Sequence, residues 1–289
     1  MAEFEEESEP EEISTEEKLQ ITKHYLLSSP PGQFREVLAD VRKIIPADLL
    51  SDEMAGDIAR VSNLRNGKVV VTPSGNKAVL TAAGEVDVTR YVDPKTGAVF
   101  SVDHLTLSTS EDAATVANDN EGQELQRAAL QSAAEKYVLS NYPSEYSAAG
   151  AYAKDDGFSI VISGEKINLR NFWSGRWTSS WTLQAKDGAA TLSGDIKLHV
   201  HYYEDGNLQL QTAKEVPPAS LSYYSEADLA EKVIEMIKSQ ESQLQSGLED
   251  MYTNMNRETF RSMRRVMPIT QTKMEWNVNA VRMVKQVRK

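Results

Sequence analysis

The sequence predicts an α+β fold: an N-terminal three-helix bundle, a small loop-rich β layer, a five-stranded antiparallel meander crossed by a long C-terminal helix, and an amphipathic C-terminal tail helix. Three observations carry this reading. Residues 14–61 keep apolar side chains at helical spacing between capping and proline signals. Residues 147–216 set Asp156-Gly157, Asp187-Gly188 and Asp205-Gly206 between alternating apolar runs, and Asp-Gly tolerates the positive φ angles of tight hairpins. Residues 225–255 return to a near-helical period.

Residues 1–13 hold seven glutamates and no basic residue. Like charges with few apolar groups leave little to bury, which predicts a disordered acidic leader. The helical bundle spans 14–62. Ser14 with Glu17 forms a capping box for a helix that stops at Ser28-Ser29-Pro30-Pro31-Gly32. A second helix puts Phe34, Val37, Leu38, Val41 and Ile44 on one face and ends at Pro46. A third runs from Asp48 to about Val61, and the short connections imply an antiparallel arrangement.

From Gly67 the period changes. Lys68–Thr72, Ala78–Thr81, Val86–Val92 and Ala98–Leu107 are short and β-branched, parted by Pro, Gly and Asp, and read as small strands. With the polar connector 108–123 they make up a β layer over 63–120. Residues 121–256 carry a helix from about Glu121 to Ser140, the meander and the long helix. The meander strands are predicted near 147–154, 158–168, 174–184, 190–203 and 207–215, with Pro217-Pro218 closing the sheet. Such a meander has two unpaired edges, each a template for another chain. Ser225 with Asp228 opens the long helix, about 45 Å if it continues to Met255 at 1.5 Å per residue. Asn254–Asn256 breaks it before the tail.

The tail, 257–289, reverses the charge of the chain. The whole is −12, yet residues 260–289 hold eight basic side chains against one acid, a segment charge of +7 that leaves −19 on the remainder. Arg261, Arg264 and Arg265 share a helical face, and Pro268 ends that turn. Trp276, Ala280, Met283, Val284 and Val287 then form one apolar stripe, with Arg282, Lys285 and Lys289 on the opposite side. A cationic arm on an anionic body suits an acidic partner. An amphipathic helix of this kind can also dock on its own core, lie on an anionic membrane or enter a groove on another protein.

Composition narrows the function classes. Cysteine is absent, so there is no disulfide framework or thiol chemistry, in keeping with a cytoplasmic location. No apolar run is long enough to span a membrane, and no secretory signal is evident. An acidic body argues against nucleic acid as a partner. No phosphate-binding glycine loop, dinucleotide turn or nucleophile elbow occurs, so neither cofactor nor enzyme activity is expected. His199 and His201 share a strand face but lack an evident third ligand, so no metal site is expected. Trp173, Trp177 and Trp181 share a face by their even spacing, which points to packed core or a helix-covered sheet more than to a ligand platform.

Three stretches are more specific: Asn171-Phe172-Trp173-Ser174-Gly175-Arg176-Trp177 with Trp181; His199 to Leu210; and Phe260, Arg264-Arg265, Pro268, Thr270, Thr272-Lys273, Trp276-Asn277. Arg90 to Pro94, Phe100 to Leu105 and Pro30 to Phe34 agree. Together they resemble the α subunits of the heterodimeric F-actin capping proteins (CapZ), over nearly the whole chain. The resemblance implies an obligate heterodimer with a capping-protein β subunit, the two sheets joined edge to edge beneath long helices, in the cytoplasmic actin cytoskeleton. It implies capping of the barbed end of actin filaments by a C-terminal tentacle, with Arg261, Arg264, Arg265, Lys273 and Trp276 at actin and Arg282 and Lys285 on its basic side. It further implies phosphoinositides and other capping-protein regulators as partners; the same subunit type also occurs in dynactin, capping an actin-related filament, and the sequence does not separate the two uses. Gln271 stands where the family often has a basic residue, the leader is longer than usual, and 108–123 is divergent. The alternative is a peripheral membrane or phosphoinositide-binding protein anchored by the basic tail helix.

Overall fold

The computed structural model describes residues 13–46, 49–115, 120–155, 157–204 and 207–254. The acidic leader through residue 12, the whole 257–289 tail and the break at 255–256 lie outside the described residues. The chain divides into two compact units, residues 1–236 and 237–289.

Three helices open the chain: α1 (Thr15–Leu27), α2 (Phe34–Ile44) and α3 (Asp52–Arg65). The Ser14–Glu17 capping box is formed in both directions, the Glu17 amide donating to Ser14 Oγ and the Ser14 amide to Glu17 Oε2. α3 begins four residues after the expected Asp48, which lies outside the described residues. Ser51 Oγ accepts from the Met54 amide at 3.2 Å, so the serine sets the helix start. α1 packs against α2 and α3, and their apolar faces meet at Leu26, Leu38, Leu50, Ala55 and Ile58.

The β layer consists of a hairpin, β1 (Val69–Val71) with β2 (Lys77–Val79), and a three-stranded sheet, β3 (Arg90–Val92), β4 (Ala98–Val102) and β5 (Thr109–Thr115). Strand β5 corrects the reading of 108–123 as a connector. Its Thr-Ser-Glu-Asp-Ala-Ala-Thr sequence lacks an apolar period because it is the outer strand, paired to β4 alone and largely exposed. Tyr91, Phe100, Val102 and Leu80 close the core of this layer.

After α4 (Glu121–Asn141) comes the meander: β6 (Tyr146–Lys154), β7 (Gly157–Asn168), β8 (Trp173–Lys186), β9 (Ala189–Tyr202) and β10 (Leu208–Ser222). All four pairings are antiparallel, in the order β10-β9-β8-β7-β6. Asp187 and Gly188 have φ of 52° and 77° and connect the paired residues Lys186 and Ala189, the two-positive turn that Asp-Gly favours. The first hairpin differs from expectation. Gly157 pairs with Lys154, so it is a strand residue and the loop is one position earlier, with Asp155 at φ 41°. A Cβ at Gly157 would lie 2.3 Å from the Leu183 carbonyl, so this glycine serves close strand approach and not the turn. The Asp205-Gly206 turn lies outside the described residues.

Pro217-Pro218 does not close the sheet. β10 shifts register between Val216 and Ala219 and then pairs on to Ser222. Proline lacks an N–H, but β10 is an edge strand, where a bulge with an unpaired outer side tolerates it. The long helix α5 (Glu226–Asn254) has 29 residues, about 43 Å at 1.5 Å per residue. The Asp228 amide donates to Ser225 Oγ at its start, and Leu229, Ala230 and Val233 are buried.

Candidate functional site

Residues directly opposite each other in neighbouring strands share a sheet face. One face of the meander is apolar. Trp173, Trp177 and Trp181 register against Tyr202, Leu198 and Gly194. Trp181 is buried core, as the even spacing implies. Gly194 makes room for it, since a Cβ there would lie 2.6 Å from the Trp181 ring. α4 packs on β6 and β7, with the Tyr142 ring over Gly164 of this face. Toward the β8–β10 corner the cover thins. Trp173, Trp177, Leu198, Val200 and Leu210 are half-buried, and Leu208 is 66% exposed.

The corner ends at an open strand. β6 forms one edge of the sheet, and both α4 and the β2 strand pack against it. β10 forms the other, and among the described residues no strand pairs with its outer side. A 15-residue edge strand beside a half-open apolar corner presents unpaired backbone groups next to dehydratable surface. Such a combination can receive a strand of another chain. It is the open edge expected of the meander, and the corner adds what spacing alone did not reveal.

The opposite face is polar. Glu165, Arg176, His199 and Gln211 form a row across β7 to β10. Lys68 Nζ lies 2.6 Å from Glu165 Oε2 and Arg176 Nη2 lies 3.2 Å from Oε1. Burial opposes ionisation of Glu165, but Arg176 and Lys68 outweigh it and hold its carboxyl below the ordinary carboxylate range. Burial lowers the His199 imidazole; the Gln209 hydrogen bond opposes this, and Arg176 and His201 reinforce it. His201 sits 3.4 Å from Gln33 Nε2 and 3.0 Å from Asn207 Oδ1, and stacks on Tyr203 at 4.8 Å. Both histidines are thus engaged by amides, and among the described residues no group of three metal-ligating side chains forms. The sequence reading missed the Lys68–Glu165–Arg176 cluster. A charged residue between Gly175 and Trp177, on a strand otherwise uncharged up to Lys186, was the signal that could have flagged Arg176.

The residues expected to meet actin, Arg261, Arg264, Arg265, Lys273, Trp276, Arg282 and Lys285, lie outside the described residues, so the structure neither gathers nor separates them. The two other signature segments do come together: Trp173 pairs with Tyr202, and Ser174 with His201. The Tyr203 amide donates to the Phe172 carbonyl at 2.9 Å, and the Phe172 ring meets Tyr203 edge-on at 5.8 Å.

Comparison with known proteins agrees with this architecture. A solved homodimeric actin capping protein alpha subunit from Plasmodium berghei superposes with a TM-score of 0.73, covering 88% of this chain and 98% of that one; at 21% identity this establishes the fold alone. The F-actin-capping protein subunit alpha of Dictyostelium discoideum is 33% identical over 91% of this chain and 94% of its own. That of Caenorhabditis elegans is 30% identical over 92% and 95%, and that of Arabidopsis thaliana 27% over 96% and 94%. The model of the F-actin capping protein alpha subunit matches residues 22–286, and the chain belongs to that family.

Proposed function

We propose that this chain is the alpha subunit of a two-chain, non-enzymatic actin capping protein that binds filament barbed ends and blocks subunit addition and loss. The observation that carries this is the family match across residues 22–286, which takes in the charge-reversed tail as well as the folded body. β10 and the open β8–β10 corner are the surface offered to a capping-protein β subunit, whose sheet would continue this one under both long helices. In the tail, Arg261, Arg264 and Arg265 pair with acidic groups of actin, Lys273 and Trp276 extend the contact, and the apolar stripe enters a groove with Arg282 and Lys285 at its rim. The site of action is the cytoplasmic actin cytoskeleton, with dynactin's actin-related filament as a second end of the same kind. Phosphoinositides and other regulators compete at the same basic surface.

The test is elongation of pyrene-actin from filament seeds, with this chain co-expressed with a β subunit. Replacing Arg261, Arg264 and Arg265 by Glu places like charges against actin and should weaken capping by about 100-fold or more while the two chains still co-purify. Normal inhibition of elongation by that variant refutes the role given to the tail. The competing reading, a membrane protein held by the tail helix, rests on the same stripe with Arg282, Lys285 and Lys289. It requires sedimentation with anionic liposomes that survives physiological salt.

A further inference from the structure

The polar sheet face carries an imbalance of charge. Lys68 and Arg176 both pair with Glu165, and their side chains are 18% and 8% exposed against 4% for the glutamate. Two cations share this one buried carboxylate, with Glu36 and Glu145 on the wall of a neighbouring cavity that Lys68 and Arg176 also line, so Arg176 has capacity for a further anion on its other side. The guanidinium is also under-used. Nη2 meets Glu165, whereas Nε and Nη1 are buried with no acceptor.

Arg176 lines a cavity of about 330 Å³ where the ends of α1 and α3 meet the middle of β8, β9 and β10. Arg65, Lys197 and His199 line it with Arg176, joined by the side-chain amides of Asn66 and Gln211. No carboxylate lines it, in a chain with 43 acidic residues against 31 basic ones. Lys197 keeps Asp195 at 3.0 Å, while Arg65 projects from the last turn of α3 and is exposed. The C-terminal ends of α1 and α3 border the cavity, and their helix dipoles oppose an anion there, so the cations must outweigh them.

We propose that this cavity binds a phosphate or phosphate monoester, with Arg176 as the buried donor and Arg65 and Lys197 as its cationic rim. A doubly charged tetrahedral group suits the site better than a single carboxylate. Its oxygens can accept from one unpaired side of the guanidinium and from the rim cations together, and its charge matches the surplus of cations. The volume lies at the small end of ligand cavities, the size of a headgroup or small metabolite and not of a protein segment.

The experiment titrates the full chain, alone and co-purified with its β subunit, with inorganic phosphate against chloride at matched ionic strength. Calorimetry and the His199 imidazole resonances are followed. Saturable one-site binding that moves His199 is expected, weakened about tenfold or more in Arg65→Gln/Lys197→Gln, whose side chains are exposed and leave the core intact. Arg176→Lys, which retains a cation for Glu165, should lose most of the binding while the Arg65→Gln/Lys197→Gln variant keeps the wild-type melting temperature. Glycerol phosphate and phosphatidic acid vesicles separate the sources. Binding of the soluble ester with vesicle binding unchanged in the double variant assigns a free phosphate, and vesicle binding that falls in that variant assigns a headgroup. Absence of saturable phosphate binding, equal affinity in the double variant, or binding by the isolated chain that vanishes in the complex, where a partner carboxylate would then fill the cavity, each overturns the proposal.

Discussion

Burial holds the His104 imidazole below its ordinary pKa; the Val88 carbonyl opposes the shift, Arg60 adds to it, and Glu85 and Asp103 oppose it. The hydrogen bonds define which neutral form is present. Asn63 Nδ2 donates to His104 O at 3.0 Å and to Nδ1 at 3.3 Å, so Nδ1 is the acceptor and Nε2–H faces the Val88 carbonyl at 3.2 Å. Protonation would set a second N–H against the Asn63 amide beside the Tyr91 ring, 5.7 Å away. Because the folded pKa is lowered, the unfolded chain takes up protons first as pH drops through about 6.5, and stability is lost from there down through the folded pKa. The melting temperature should therefore fall between about pH 7 and pH 5, with His199, lowered in the same direction, contributing alongside. His104→Gln should be less stable at neutral pH by about 1–2 kcal/mol and should show a shallower decline on acidification. Equal slopes for the two proteins would show that His104 is not the titrating group.

At the scale of elements, β10 is the strand on which the proposed pairing with a second chain rests. Leu208 and Leu210 lie on its apolar face, Leu208 registered against Tyr202 and Leu210 against Val200, at the margin of the open corner. Charge on an edge strand blocks pairing with little effect on the strand's own sheet. Leu208→Glu/Leu210→Glu should thus abolish co-purification with a β subunit while leaving far-ultraviolet circular dichroism unchanged; retained co-purification would move the subunit surface elsewhere. How far such elements could be read from residues depended on how local their causes are. Asp187-Gly188 announces its hairpin because the turn is made by those two backbones. The Ser14–Glu17 box likewise lies within three residues. Pro217-Pro218 misled because what permits prolines in a strand is the strand's place at the edge, a property of the whole sheet. β5 stayed hidden because an outer strand needs no apolar period, and Gly157 because its reason is the Leu183 carbonyl of the next strand. In the candidate site the cationic tail was legible as composition. The Lys68–Glu165 pair was not, since 97 residues separate its members.

For the whole molecule, the distribution of charge bears on how the proposed activity begins. With +7 on the tail and −19 on the remainder, approach to an acidic filament depends on orientation: repulsion of the body and attraction of the tail favour encounters led by the tail. These are long-range effects among solvent-exposed charges, so salt controls them. The screening length is about 30 Å at 0.01 M and about 8 Å at 0.15 M ionic strength. Steering of this kind raises association rates by a factor of about 10–1,000. The rate at which the co-expressed heterodimer stops pyrene-actin elongation should therefore fall by about tenfold or more across that range, with dissociation much less affected, because contacts made after docking exclude the screening ions. In the Arg261→Glu/Arg264→Glu/Arg265→Glu variant the tail loses three positive charges and gains three negative ones, which brings +7 to +1. Its association rate should then be nearly flat in salt or rise with it, as screening relieves repulsion by the body. A wild-type rate that does not change with ionic strength would mean that shape alone selects the filament end, and the charge reversal would need another explanation.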